Sequence, residues 1–575
     1  MKKREKFLFI SIGLLTVSLL TGCKKKNFVL YSTNYFSLET SGSSELKKEA
    51  STEKKILAYF AEGEMLIPYI SVEAFSSMFN DFLAEGYESV VENYRYSTLW
   101  TINGPEHPVF AAEFKWSAGA IEYIGNIDSA FKKSSTLDES NSAIFYNANI
   151  TESILNEGLY NGTTGCSYKK SGFSDVYKGG LHHLPLGVYD ICFKDATKKY
   201  FMFDYTYIVI TSNYKNYLKE SKDCYSVIET MQKRIRNYYK EGAPSYYIEY
   251  NMNCFKLIML YYYGLNHEKG IKASTLNKRA FKKDFTNADK IKRAAAYYNF
   301  IGALDDDHTL FVGSAAWGEV LPVMPRSQNS INRIKKQKRL TESRKKDAIR
   351  GTDVIYFSNT RRTAMFYLDD FEYDTTQKRV SKDGVKTADA YKYDSYVYVE
   401  NMLKLINENP SVDKVIINIS LNGGGYIGVL SKILSLLNGG KLTSVGYYDS
   451  NSDISALLNT ELIDKNDYLK NKELYLLTSD CSFSCGNALP FYAQLRGLTK
   501  IIGEKSGGGE CSVSFRMLPN LSYLYHSGTM HITEFVNNSY RNRIGAERRA
   551  IPDIEIEESS YFNVDLLESK LEKNN

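Results

Sequence analysis

The pattern of apolar and polar positions first divides the middle of the chain into two regions. Residues 57–212 alternate polar residues with aromatic and aliphatic ones over short runs, which predicts a β-rich α+β region. Residues 213–310 place apolar residues at spacings of three and four, which predicts a helical domain. Within it, 252–263 and 290–304 are the clearest amphipathic stretches, and Gly264 is expected to end the first.

A third pattern covers residues 311–575. Short runs such as 414–420 and 474–479 are apolar at nearly every position, and helical periodicity follows each of them. Strands without alternation that are separated by helices are typical of parallel sheets covered on both faces. The expected fold class is therefore α/β, with an α/β core at the C-terminal end of the chain.

The first 22 residues have the features of an export signal. Four basic residues precede an apolar run over 7–20 that is too short to span a bilayer comfortably. The Leu-Thr-Gly-Cys string that ends at Cys23 resembles a bacterial lipobox, which implies cleavage before Cys23 and lipidation of its thiol. We predict residues 1–22 to be a lipoprotein signal peptide and the mature chain to be a membrane-anchored, extracytoplasmic lipoprotein of the cell envelope. An ordinary signal peptide with an incidental cysteine is the alternative.

Composition and charge limit the kinds of partner that the chain is expected to bind. Residues 23–56 are rich in Lys, Ser, Glu and Thr and are predicted to form a flexible tether. The net charge is +5, and the signal segment removes four basic residues and one glutamate, which leaves +2. This balance argues against nucleic acid as a partner.

The cysteines predict neither a disulfide scaffold nor a metal site. The chain has eight, and lipidation of Cys23 leaves an odd number, so at least one thiol stays free. No CxxC motif and no Cys/His spacing typical of zinc ligands is present. We therefore expect no metal and no cofactor.

Ser484 stands where a predicted strand passes into a helix. Free backbone N–H groups at a helix N-terminus suit an oxyanion, although serine is also a common helix cap. The string 479–509 resembles the nucleophile segment of the C-terminal-processing (tail-specific) protease family, S41, in which a small-residue turn with the reactive serine precedes a Gly-Glu loop. Aligning the Gly-Glu pair at Gly503 implies Ser484 as the nucleophile, with Ser482 as the next candidate.

The glycine-rich segment 415–425 resembles the same family's strand that ends in paired glycines. The resemblance implies an oxyanion hole made by the N–H of Gly424, or of a neighbour within 423–425, and the N–H of Cys485. Asn418 and Ser420 stand where the family usually has aspartate and arginine, and we interpret both as structural.

A histidine base is implied by a third segment. One branch of the family has a lysine about 25 residues after the serine, but that position is Gly509 here, and Lys505 is the only nearby lysine. The tricorn-like branch instead has an acidic-His-Thr motif, which segment 305–309 resembles. This implies His308 as the base that accepts the Ser484 proton and then protonates the leaving amine.

The carboxylate that would orient His308 is Glu547, because 547–554 resembles the family's closing segment. Asp307 is the alternative.

Too few residues separate His308 from the core for the PDZ domain that many members carry. Near the other end, segment 65–79 resembles the strand-turn-helix opening of copper-amine-oxidase-like N-terminal modules, without implying copper.

Together these resemblances imply a crotonase- or ClpP-like core over 311–575 and an exported, lipid-anchored serine endopeptidase that cleaves polypeptides through an acyl-enzyme. Three alternatives remain open at this stage. They are a peptide binder that has lost turnover, an envelope scaffold that works through residues 57–212, and a thiol enzyme that uses Cys485. The sequence does not indicate an oligomeric state.

Overall fold

A computed structural model describes most of the chain after residue 27. The described residues are 28–38, 54–80, 83–125, 130, 148–154, 164–197, 200–203, 207–211, 242–312, 327–345, 355–374, 378–380, 386–452, 454–520, 522–536 and 542–574. The predicted signal peptide and Cys23 lie outside these residues. Within them, no helix combines the length and apolar character needed to cross a membrane.

Strands and helices are numbered here in chain order. The strands are β1 Phe28–Leu38, β2 Lys54–Ala61, β3 Glu64–Ser71, β4 Glu88–Asn93, β5 Ser97–Asn103, β6 Pro108–Lys115, β7 Ala120–Gly125, β8 Ala148–Ile154, β9 Thr164–Ser167, β10 Val176–Lys178, β11 Leu181–Pro185, β12 Tyr200–Phe203, β13 Tyr207–Thr211, β14 Leu310–Val312, β15 Tyr356–Phe357, β16 Thr363–Tyr367, β17 Lys414–Asn418, β18 Thr443–Asp449, β19 Ile454–Leu462, β20 Glu473–Thr478, β21 Lys500–Gly503, β22 Cys511–Met517, β23 Tyr523–Phe535, β24 Arg543–Gly545 and β25 Ile554–Glu555. The helices are α1 Val72–Ser77, α2 Leu186–Thr197, α3 Ser245–Tyr261, α4 Ala273–Leu276, α5 Arg279–Phe285, α6 Lys290–Ala303, α7 Gln328–Lys345, α8 Ser395–Asn407, α9 Ile427–Leu437, α10 Cys485–Leu495 and α11 Val564–Asn574.

Two sheets build the N-terminal region around an aromatic core. One has the order β10-β11-β3-β2-β1-β13-β12, and the other has the order β4-β5-β6-β7-β9. Along β5, buried and half-buried residues alternate, as expected for a strand with one face on the core. Trp100 from this strand is fully buried, and Phe75 of α1 stacks on Tyr189 of α2 with ring centroids 4.4 Å apart.

Strand β1 corrects the predicted tether. Residues 28–38 lie inside the segment 23–56 that we expected to be flexible, yet they form a strand. It pairs antiparallel with β2 and parallel with β13, so neighbouring strands on both sides take up its backbone N–H and C=O groups. The average composition of 23–56 hid a short run of strand-forming residues, FVLYSTNYF, at its start.

The helical region contains the two amphipathic helices that the sequence predicts, as α3 and α6. Gly264 does not cap α3, since the helix ends at Tyr261. Its N–H instead donates to the Ser527 carbonyl oxygen at 2.8 Å, and a Cβ there would collide with the backbone of Gly528. Glycine at 264 therefore lets the end of the helical region pack closely against β23.

The core sheet has the order β15-β16-β17-β20-β21-β25, and every pair after β15-β16 is parallel. Helices α8, α9 and α10 contribute to the hydrophobic cluster on one face of it, and α7 and α11 contribute to the cluster on the other. All five residues of β17 are buried, which explains the continuous apolar runs. The predicted mixed α/β fold is confirmed.

A further sheet joins the regions that the sequence suggested as separate. Its order is β14-β23-β18-β19-β8, with β22 and β24 also paired to β23. Strand β8 comes from the predicted N-terminal region and pairs along its length with β19. Because β14 follows the helical region directly and pairs with β23, the segment around His308 is tied to the core by strand pairing.

Candidate active site

The candidate site lies at the carboxyl ends of β17, β20 and β21. Parallel neighbouring strands end at the same edge of a sheet, so the loops that follow them meet there. These loops carry the glycines 423–425, the turn 479–484 and the glycines 507–509. Three segments separated in sequence therefore converge at one place.

Ser484 has a backbone conformation that side-chain-bearing residues rarely adopt, with φ 56° and ψ −123°. Its N–H donates to the Gly508 carbonyl oxygen at 2.9 Å, and its own carbonyl oxygen accepts from the N–H groups of Asn487 and Ala488. The side chain makes no capping hydrogen bond to α10. The hydroxyl is therefore not used as a helix cap, and main-chain bonds hold the strained turn.

Gly424 lies directly beside this serine. A Cβ at position 424 would stand 2.7 Å from Ser484 Cβ and 3.0 Å from Ser484 Oγ, and the glycine has φ +107°. Only a residue without a side chain permits this approach. The structure thus brings together the two segments that the sequence linked by resemblance.

The N–H of Gly424 is already used within the protein. It donates to Asn422 Oδ1 at 2.9 Å, so it is not free for a substrate oxygen in this conformation. Among the described residues, the N–H groups of Gly425 and Cys485 have no hydrogen-bond acceptor. These two residues are neighbours, since Cys485 Sγ lies 3.2 Å from the Gly425 carbonyl oxygen. The glycine N–H that is free for a substrate oxygen is therefore that of Gly425, the residue after Gly424 and within the predicted range 423–425.

His308 lies next to the turn that carries Ser484. Its ring packs edge-on against Phe483, with centroids 4.7 Å apart, and Phe483 directly precedes Ser484. The side chain is buried, and Nδ1 has no hydrogen-bond partner. No hydrogen bond joins His308 to Ser484, both of which the structure describes.

The environment of His308 favours the neutral imidazole. Burial lowers the pKa of His308 below its ordinary value of 6.5, against the opposing effect of the Asp306, Glu547 and Asp307 carboxylates, which raise it. At neutral pH the ring is therefore unprotonated and able to accept a proton.

Glu547 lies close enough to act on this histidine, but it does not hydrogen-bond to the ring. Its Oε2 accepts the N–H groups of Gly509 at 2.8 Å and Glu510 at 3.2 Å. A Cβ on Gly508 would stand 2.9 Å from Glu547 Oε1, so the glycine loop wraps the carboxylate. The alternative, Asp307, directs its carboxylate to Arg333 and Ser330.

The other candidates have structural partners or are excluded by space. Ser482 is fully buried, and its hydroxyl donates to the Ile419 carbonyl oxygen at 2.8 Å. Lys505 is exposed. At Gly509, where one branch of the family has lysine, a Cβ would lie 2.6 Å from the Phe483 ring. A side chain therefore does not fit at 509 without moving that ring.

Asn418 and Ser420 are structural, as the sequence suggested. Asn418 Nδ2 donates to the Tyr561 carbonyl oxygen at 2.8 Å, and Asn418 Oδ1 accepts from the backbone N–H and the hydroxyl of Ser420. These bonds hold the end of β17 against the segment before α11.

Arg333 is the residue that the sequence interpretation missed. The run 333–350 is rich in lysine and arginine, which is typical of a solvated surface, yet the Arg333 side chain is only 16% exposed. Its guanidinium pairs with Asp307, lies 3.5 Å from Asp480 and covers the Phe483 ring at 5.2 Å. It therefore connects the segment of His308 to the turn before Ser484, a contact that no local sequence signal indicates.

A cavity of about 250 Å³ opens beside these residues. Its lining includes the segment 305–307, Phe483, Gly509 and Glu547. Ser484 does not line the cavity. Its walls carry charged groups of both signs, and they include the three aspartates that directly precede His308, although His308 itself is not among the lining residues.

Comparison with known families finds one match, over the part of the chain that forms most of this site. Residues 385–556 match the model of peptidase family S41; this segment contains Ser484, Gly424 and Glu547, and His308 precedes it. No curated protein matches.

Among solved structures, the chain is similar to mature CPAF complexed with lactacystin, at 8% identity and a TM-score of 0.39, covering 57% of this chain and 98% of that one. It is also similar to a lipoprotein from Streptococcus agalactiae, at 13% identity and a TM-score of 0.31, covering 57% and 96%. A third is the photosystem II D1 C-terminal processing protease, at 14% identity and a TM-score of 0.25, covering 34% and 42%.

These structural likenesses are distant, so the assignment rests on the sequence match, which confirms the predicted family and the peptidase class. Residues 385–556 are therefore similar to peptidase family S41.

Proposed function

We propose that this chain is an exported, lipid-anchored serine endopeptidase with Ser484 as its nucleophile. The observation that carries the proposal is the free hydroxyl of Ser484 on a strained turn at the N-terminus of α10, against Gly424. A side chain held in this way is exposed to a bound carbonyl group and is not used to stabilise its own helix.

The first step is attack of Ser484 Oγ on a peptide carbonyl carbon, while His308 accepts the hydroxyl proton. The negative charge that develops on the carbonyl oxygen is stabilised by the N–H groups of Gly425 and Cys485, which have no acceptor among the described residues. His308 then protonates the leaving amine, and the bound acyl group remains on the serine. Water, activated by the same histidine, releases it.

This step needs a hydrogen bond between His308 and Ser484, and in the structure the His308 ring packs on Phe483 without one. Catalytic hydrogen bonds are often long or absent without substrate and form when it binds. Glu547 acts in this scheme as the negative charge that stabilises the imidazolium, since it already raises the pKa of His308. The polar cavity beside the histidine is the place for substrate side chains.

A peptide-binding protein without turnover is the second candidate. One observation favours it: the structure describes both His308 and Ser484, and no hydrogen bond joins them. Both candidates share the peptide-binding edge of the core sheet and differ in whether the serine reacts.

Labelling with a fluorophosphonate probe separates these two candidates. We expect the wild-type chain to be labelled and Ser484→Ala to be unlabelled, with peptide hydrolysis reduced at least ~10³-fold because the nucleophile is lost. Ser482→Ala is the matched control, and it should keep its label because Ser482 Oγ is turned to Ile419. An unlabelled, inactive but folded wild-type chain would support the binder instead.

The pH dependence of kcat/KM tests His308 as the base. Activity requires the neutral ring, and burial lowers its pKa below 6.5, so the acid limb should have its midpoint below pH 6.5. Glu547→Gln removes a charge that raises this pKa, and the midpoint should move to still lower pH while kcat falls.

Glu557→Gln, on an exposed carboxylate paired with Lys570, should leave the midpoint unchanged. A midpoint above 6.5, or an upward shift in Glu547→Gln, would contradict the assignment of His308.

Arg333 should behave as a positioning residue. Arg333→Met removes the guanidinium that joins Asp307 to Asp480 and Phe483, so the segment that carries His308 loses this link to the turn before Ser484. We expect kcat to fall on the order of 10²-fold with a smaller change in KM.

The matched control is Arg339→Met on the same helix, whose side chain is 58% exposed and pairs with Glu558. It should retain wild-type kcat. Equal losses in both variants, or a loss of thermal stability that accounts for the Arg333→Met effect, would argue against positioning.

Membrane anchoring is tested by Cys23→Ser. Since lipidation requires the thiol, we expect the wild-type chain in the membrane fraction of the producing bacterium and the variant in the soluble extracytoplasmic fraction. Cys481→Ser, which changes a buried core thiol, serves as the control and should remain with membranes. Membrane association of Cys23→Ser equal to the wild type would rule out the lipid anchor.

A further inference from the structure

Three side chains that commonly bind metals meet at one buried place beyond the glycine loop. They are Glu510, Cys511 and His531, and one carboxylate oxygen, the sulfur and one ring nitrogen all lie within 4.8 Å of one another. All three residues are buried. The peptidase scheme uses none of these side chains.

Strand register builds this cluster. Cys511 opens β22, and the antiparallel pairing with β23 sets it opposite His531. Glu510 immediately precedes the strand. The sequence predicted no zinc site because Cys511 and His531 are too far apart in the chain to form a recognisable ligand motif, and only the strand pairing brings them together.

Two glycines leave room for the side chains. A Cβ on Gly264 would lie 3.1 Å from Cys511 Sγ, and a Cβ on Gly545 would collide with Glu510 Oε2. The sulfur and the carboxylate therefore occupy space that larger residues at 264 and 545 would fill.

The distances suit a tetrahedral metal with nitrogen and sulfur ligands. Zinc bonds of ~2.3 Å to sulfur and ~2.0–2.1 Å to nitrogen place these two atoms about 3.6 Å apart in a tetrahedron. Cys511 Sγ and His531 Nδ1 are 3.6 Å apart. Glu510 Oε1 is 2.7 Å from the same nitrogen, so a metal would replace that hydrogen bond and widen the separation by about 0.6 Å.

The electrostatic surroundings also suit a cation. The Cys511 thiol is buried, and the carboxylates of Glu510, Asp306, Glu547 and Glu268 act on it as negative charges. A thiolate in such surroundings needs a positive partner.

We propose that Glu510, Cys511 and His531 bind one zinc ion, with a water molecule as the fourth ligand. Zinc accepts this mixture of thiolate, imidazole and carboxylate, and an open fourth position is common when the protein supplies three ligands. A hydrogen-bonded His531–Glu510 pair without metal is the competing explanation. The zinc site is independent of the peptidase assignment, although Glu510 Oε2 also accepts the Glu547 N–H at 2.8 Å.

Zinc binding is measured directly on the full-length chain. The purified protein is stripped with a chelator, dialysed against Zn²⁺ alone, and its metal content is determined by mass spectrometry. We expect about one zinc per chain in the wild type. Cys511→Ser and His531→Gln should each weaken binding at least ~10-fold, and zinc should raise the Tm of the wild type but not of these variants.

The matched controls are Cys481→Ser and His526→Gln, which change a buried thiol and a buried histidine outside the cluster. Both should bind zinc like the wild type. Retention of zinc by Cys511→Ser and His531→Gln, or its absence from the wild type, would overturn the proposal.

Cobalt substitution of the wild-type chain keeps the test decisive if the ligand variants do not fold. Co²⁺ bound by Cys511 should give a thiolate-to-metal absorption band in the near ultraviolet, and added Zn²⁺ should abolish it by displacement. Absence of that band in a folded, cobalt-exposed wild-type chain would exclude a thiolate-ligated metal and leave the His531–Glu510 hydrogen bond as the explanation.

Discussion

At the carboxyl edge of the core sheet, the loop after β17 and the turn after β20 approach so closely that a Cβ on Gly424 would stand 2.7 Å from Ser484 Cβ. Everything else at the site is arranged around this contact. It requires glycine on one side and a strained backbone at Ser484 on the other. Hydrogen bonds from the turn to the glycine loop at 507–509 keep that strain in place, since a strained residue persists only where its surroundings determine it.

Burial then sets the chemistry of the groups that surround the serine. His308 is neutral because its buried position disfavours the charged ring more than the neighbouring carboxylates favour it. Those carboxylates are themselves held by partners. Glu547 accepts backbone N–H groups of the glycine loop, and Asp307 pairs with Arg333. The acidic residues thus act on the histidine from fixed positions.

The regions before the core are part of the same structure. Strand β8 extends the sheet that contains β23, and β14 ties the segment of His308 to that strand. Helix α7 links the segment of His308 to the core by two side chains. Arg333 contacts both, and Lys336 pairs with Glu504 and Glu558 of the core. The histidine is therefore positioned by elements from outside the segment that matches the family.

The sequence by itself determined the parallel core strands, the two amphipathic helices and the ordered segments that indicated the family, because these signals are carried by neighbouring residues. It also singled out Ser484, His308 and Glu547. Only the tertiary structure decided that Asn422 accepts a hydrogen bond from the Gly424 N–H, that Arg333 is buried against Phe483, and that Cys511 faces His531. The physical reason is that these contacts join segments far apart in the chain, and strand register and helix packing, which no local pattern encodes, set which atoms meet.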